Sequence, residues 1–256
     1  AGSSGAGKRN GFWEAAHSYL AYVDCETGAL CADDGRLVCP VSDEDNAAGN
    51  VLGSFRDEEI YRVTARKKIP QELPEGMSAS SQNRLLVVEV LEENPPCPAL
   101  DEVLAEYRRP VVLKDEELGE LSLDKDLDTF EGGISWRGED IDISLEVDSS
   151  SEDTWTAAVA AMKQMMTDQD RWDRDMRAFA ARELTGLACE WRESADEDVP
   201  EITEESFAQR LGLTSIAMDP DGSFSAYFED DDMFFGHCVV VYGTLTDGVA
   251  SAEMAG

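Results

Sequence analysis

Seven residues near the middle of the chain, Ile141-Asp142-Ile143-Ser144-Leu145-Glu146-Val147, alternate strictly between apolar and polar side chains. Successive side chains of a strand point to opposite faces, so this run is a strand with one dry face and one wet face. Sheets wet on one side are characteristically antiparallel, and their dry face needs a covering layer. Residues 120–123 and 129–136 read as two more strands. With Arg137-Gly138-Glu139-Asp140 as a turn, they make a three-stranded meander.

The covering layer follows directly. Between residues 154 and 193, Trp155, Val159, Met162, Met166, Trp172, Met176, Phe179, Leu187 and Trp191 recur at intervals close to three and four, the signature of one helical face. An unbroken helix of that span would be roughly 60 Å long at 1.5 Å per residue, too long for a compact domain. Thr167-Asp168-Gln169-Asp170 is therefore expected to break it and cap a second helix. Tryptophan and methionine at helical spacing read as core packing. After an acidic stretch, Thr203-Glu204-Glu205-Ser206 opens a short helix. A second meander is expected over residues 214–218, 223–228 and 236–245, its first turn set by Asp219-Pro220-Asp221-Gly222.

Upstream the pattern is mostly short β-prone segments, at residues 18–23, 36–41, 60–66 and 84–91, followed by an amphipathic helix opened by Pro98 with Leu100, Val103, Leu104 and Tyr107 on one face. The reading is an α+β chain: a Gly- and Ser-rich flexible tail over residues 1–11, a small β-sheet or partial barrel with one helix over 12–111, and an acidic domain over 112–256. In the last, an antiparallel sheet of two three-stranded meanders packs against two to three helices.

The 256 residues include 55 acidic and 21 basic ones, a formal net charge of -34. The acid is unevenly spread: 36 of the acidic residues but only 10 of the basic ones follow Val112. Such a field repels nucleic acid and anionic lipid and speeds encounter with a basic partner. No apolar run approaches the ~20 residues that span a bilayer, and the first residues lack the apolar centre of a signal peptide. The expectation is a cytoplasmic protein that binds neither membrane nor nucleic acid.

Six cysteines are scattered without a C-x-x-C pair and read as free thiols. The spacing of Cys25, Cys31 and Cys39 fits no common zinc pattern. Gly2 to Lys8 matches G-x-x-x-x-G-K, but Arg9 replaces the required hydroxyl residue and no strand precedes the run, so the match is read as coincidence. No nucleophile-elbow, zincin, dinucleotide-binding or kinase motif is present, and no cofactor or metal is expected. The best partner-facing patch is Glu229-Asp230-Asp231-Asp232, four adjacent carboxylates at an expected hairpin tip. His237 follows as a group able to titrate near neutrality.

Leu118-Gly119-Glu120-Leu121-Ser122-Leu123-Asp124, Phe130-Glu131-Gly132, Trp136, Arg177-x-x-Ala180-Ala181-x-x-Leu184, Asp221-Gly222-Ser223-Phe224 and Phe235-Gly236-His237 occur in that order. Together they resemble an uncharacterised bacterial family, domain of unknown function 2262, over about residues 112–256. The resemblance implies a bacterial origin and an α+β fold, and points to Phe130, Glu131, Trp136 and His237 as positions where a shared site would form. Tryptophan is expected in relatives where Phe235 stands here. Three functions follow as expectations: a non-enzymatic interaction protein docking a basic partner, of which immunity proteins that block nuclease toxins are an instance; a scaffold whose acidity serves solubility; and a metal-assisted hydrolase built from His237, Glu131 and the acidic hairpin.

Overall fold

The computed structural model describes residues 3–9, 12–47, 55–67, 83–193 and 202–256. The chain divides into two compact units, Ala1–Arg109 and Pro110–Gly256.

The first unit is an open five-stranded sheet in the order β1-β2-β5-β7-β6. Its strands are β1 (Ser3–Arg9), β2 (Phe12–Tyr19), β5 (Gly35–Val41), β6 (Tyr61–Lys67) and β7 (Arg84–Glu93). A two-stranded ladder of β3 (Tyr22–Val23) and β4 (Leu30–Cys31) stands apart from it. The helices are α1 (Asp43–Ala47) and α2 (Pro98–Tyr107), the latter with its proline in the first turn. Residues 3–9 correct the expectation of a flexible tail. They pair antiparallel with β2, Gly7 opposite Glu14 and Lys8 opposite Trp13. Small residues carry little β-propensity of their own, and here the ladder of backbone hydrogen bonds supplies the order. The G-x-x-x-x-G-K spacing thus runs into an extended strand, not a phosphate loop.

The second unit is an eight-stranded sheet in the order β15-β14-β13-β12-β11-β10-β9-β8. One meander contains β8 (Val112–Asp115), β9 (Gly119–Asp124), β10 (Thr129–Trp136) and β11 (Glu139–Glu146). The other contains β12 (Gly212–Met218), β13 (Ser223–Glu229), β14 (Cys238–Thr244) and β15 (Gly248–Ala255). Each meander has one strand more than expected. The seam between them is parallel, with Asp142 to Leu145 of β11 in register with Ser215 to Met218 of β12. Parallel neighbours need a crossover, and three helices provide it: α3 (Glu152–Met166), α4 (Gln169–Glu193) and α5 (Glu204–Arg210).

Local chemistry explains the joints. Arg137 and Gly138, between β10 and β11, have φ of 51° and 91°, the left-handed pair that a two-residue hairpin with right-twisted strands requires. The break between α3 and α4 is stapled to this hairpin. Gln169 Nε2 donates to the Ser135 carbonyl at 3.2 Å, and Gln169 Oε1 accepts from the Arg137 N–H at 2.7 Å. Helix α5 starts in a capping box in which Thr203 Oγ1 accepts the Ser206 N–H while Ser206 Oγ accepts the Thr203 N–H.

All three helices cover one face of the sheet. Phe130, Ile134 and Trp136 of β10, Ile141, Ile143 and Leu145 of β11, and Phe224, Ala226 and Phe228 of β13 join Met162, Met165, Trp172, Met176 and Phe207 in one core. Trp172 meets Phe224 edge to face at 5.3 Å between ring centroids.

Candidate functional site

The structure distributes the residues that the sequence singled out. Phe130 and Trp136 lie in the core, Phe130 edge-on to Trp155 at 4.9 Å. Neither offers a surface to a protein partner. Glu131, between them in sequence, points to the opposite face and is exposed.

Glu229 to Asp232 do not form one carboxylate patch. Glu229 ends β13 opposite Cys238 and is exposed. Asp230 is buried, its carboxylate accepting the Phe234 N–H, so it organises the loop from within. Asp231 is neutralised by Arg210, whose Nε reaches Asp231 Oδ2 at 2.7 Å and whose Nη2 reaches the Asp231 carbonyl at 2.6 Å. Asp231, Asp232 and Phe235 all have positive φ, a conformation that short polar side chains adopt more readily than phenylalanine does. Phe235 is held by stacking on Trp191 at 5.8 Å and 27°, while Phe234 and His237 meet the same indole edge-on at 5.7 Å and 5.3 Å. His237 makes no side-chain hydrogen bond to Asp230 or Asp232, and its buried Nδ1 has no partner. The loop closes as an aromatic clasp around Trp191. Among the described residues no group of three or more His, Cys, Asp and Glu is disposed to hold a metal.

The uncovered face of the second unit's sheet is chemically uniform. Strands β9 to β15, seven neighbours in the sheet, contain no lysine or arginine. The single basic residue of β8, Lys114, pairs with Glu120. Glu131 of β10 lies beside Ser122 and Ser144, and Asp142 of β11 lies between Gly133 and Ser215. Following register outward from Ser215 brings in Tyr227, Val240 and Glu253, of which Val240 is buried between its neighbours. The Tyr242 hydroxyl donates to Glu253 at 2.8 Å, and this bond, with burial behind it, pushes the phenol up to about 12. The result is a face of small and tyrosyl side chains studded with carboxylates, with Lys114 at the β8 edge paired to Glu120 and no lysine or arginine in the seven strands beyond it.

Cations collect on the other side. Helix α4 carries Arg171, Arg174, Arg177 and Arg182 among its described side chains. One of them, Arg177, and Arg137 of the β10–β11 turn converge on Asp173, a carboxylate only 3% exposed. Arg177 Nε lies 2.9 Å from Asp173 Oδ2, and its Nη1 donates to the carbonyls of Ala208 and Leu211. Arg137 Nη1 takes the same Asp173 oxygen and its Nε takes Asp170 at 2.8 Å. The charge of Asp173, with Asp170, raises the Arg137 guanidinium above its ordinary range. This network ties the hairpin, α4 and the entrance of β12 together, and sequence reasoning assigned it no role. Its only trace was the i, i+4 pair Asp173 and Arg177.

A family model described as an uncharacterized protein conserved in bacteria (DUF2262) matches residues 115–254. The chain belongs to this family. The DUF2262 match begins at the last residue of β8 and takes in β9 to β14, all of β15 but its last residue and all three crossover helices. Residues 1–107 match a second model, a domain of unknown function (DUF7021), so β1 falls inside a recognised domain. No curated protein and no solved structure matches the chain.

The DUF2262 unit should respond to acid in two stages. Burial, followed by repulsion from Asp219 and Asp128, raises the Glu146 carboxyl, and burial followed by Asp221 raises Asp219. A carboxyl raised in the folded state takes up its proton before the unfolded chain does, so stability grows as pH falls through the folded value. Asp148 and Asp221 are lowered by hydrogen bonds from Ser150 and Ser223. At Asp115 burial pushes upward, but the N–H groups of Glu117 and Leu118 and the Lys163 ammonium outweigh it and the carboxyl sits low. Lowered groups contribute stability that is lost as they protonate. Thermal melts across pH should show Tm rising from pH ~7 to ~5, then falling steeply below pH ~4.

Proposed function

We propose that this DUF2262 protein is a non-enzymatic interaction protein of the bacterial cytoplasm that docks a basic protein on the uncovered face of its eight-stranded sheet. The observation that carries the reading is the absence of any lysine or arginine from seven adjacent strands, while the helical layer behind them mixes both signs. Acidity that served solubility alone would be interspersed with cations on every face. Tyr227 and Tyr242 add the amphipathic rings that protein interfaces favour, and the serines, glycines and alanines between them leave room for a partner's long basic side chains. An immunity-type protein that masks a basic nuclease is one instance of this physics.

The test is capture from bacterial lysate with the full chain as bait at low and high salt. Docking predicts a basic protein retained at ~50 mM salt and released at ~500 mM, since a Debye length of 10 Å or less screens an exposed charged interface. Retention that is indifferent to salt, or capture of acidic proteins, would remove the reading.

A further inference from the structure

On the helical side, at the end of the sheet where β10 turns into β11, the Asp173 network borders a recess of about 200 Å³. Its walls are Trp136, Arg137, Ile141, Arg177 and Leu213, with Asp173 behind and Glu139 at the exposed rim. Trp136 is 2% exposed and its indole N–H has no hydrogen-bond partner. A buried donor without an acceptor is costly, and a ligand acceptor relieves that cost. Both guanidinium groups spend Nε and Nη1 on protein acceptors, and among the described residues neither Nη2 has a protein partner. Arg137, Arg177 and Trp136, which carry these donors, therefore line one small space in a chain that is otherwise strongly acidic.

We infer that this recess binds a small organic monocarboxylate, its oxygens accepting from Arg137, Arg177 and the Trp136 indole N–H and its short apolar part lying against Ile141 and Leu213. Guanidinium groups match the planar, two-oxygen geometry of a carboxylate. A single negative charge fits because Asp173 and Asp170 already answer much of the positive charge, and Glu139 at the rim repels a second one. The size admits only a few heavy atoms beyond the carboxylate.

The experiment is a titration of the full chain, labelled with nitrogen-15, with sodium butyrate, sodium chloride and sodium phosphate in parallel. Trp136→Phe identifies the Trp136 indole resonance by its loss, and the four remaining indole signals report whether that variant is folded. The expected result is a saturable shift of the Trp136 indole with butyrate, with Kd on the order of 1 mM, weakened about tenfold in Arg137→Gln. A purely structural network predicts that Arg137→Gln lowers Tm and that butyrate and chloride act alike. No saturable shift, a shift equalled by chloride, tighter binding of phosphate, or unchanged butyrate affinity of Trp136→Phe by calorimetry would each overturn the assignment.

Discussion

Asp173→Ala is expected to destabilise the second unit by about 3–5 kcal/mol, the cost of leaving a buried ion network without its shared anion. Asp173 is almost wholly buried, and both Arg137 and Arg177 lie on its Oδ2. Arg177 cannot withdraw to solvent cheaply: its side chain is 21% exposed, its Nη1 serves the Ala208 and Leu211 carbonyls, and its guanidinium lies over the Phe228 ring at 5.6 Å. Arg137 is 47% exposed, so Arg137→Ala loses an interaction that water partly replaces and should cost only about 1 kcal/mol. Urea unfolding followed by tryptophan fluorescence measures both, since Trp136, Trp155, Trp172 and Trp191 all belong to this unit. Asp173→Asn combined with Arg177→Gln should cost clearly less than the sum of the two single changes, because each single change strands a charge that the pair removes together. Additive losses would mean that the two groups do not form one network.

What was legible beforehand follows from how strongly each segment's own chemistry speaks. The alternation of residues 141–147 fixes a half-wet strand whatever surrounds it, and the structure has Ile141, Ile143 and Leu145 buried and Asp142 exposed. The Arg137-Gly138 turn and the break at Thr167-Asp168 were readable for the same reason, because glycine and capping residues act locally. Strands β1, β8 and β15 were not. Ser3–Arg9 and Gly248–Ala255 are rich in small residues, and Val112–Asp115 is too short to show a period, so tertiary pairing decides them. The parallel seam was hidden too, since β11 and β12 are far apart in sequence and strand direction leaves no mark on a hydrophobic pattern. The site residues show the same limit. A run of four acids reads as one patch in sequence, yet its members separate into a buried loop organiser, an ion-paired residue and exposed ones. The Asp173 network joins residues 36 and 40 positions apart, and only the fold brings them together.

Reversing charge at the centre of the uncovered face should separate docking from mere acidity. Glu131→Lys combined with Asp142→Lys is expected to weaken capture of the basic partner about 100-fold at low salt, or about 2.7 kcal/mol, because each change removes an attraction and adds a repulsion. Stability should move by less than ~0.5 kcal/mol, since both carboxylates are exposed and lie beside small or hydroxylic residues in neighbouring strands. The comparison is Glu183→Lys with Glu190→Lys, on exposed positions of α4, which changes the net charge by the same amount on the helical layer. If the sheet face is the dock, the second pair alters only the long-range field and weakens capture a few-fold, mostly through a slower association rate. Equal losses from both pairs would mean that the partner responds to the chain's overall charge rather than to this face. Surface plasmon resonance on the two pairs, with rates taken at two salt concentrations, distinguishes the cases: a docking residue also changes the dissociation rate, whereas a distant charge does not.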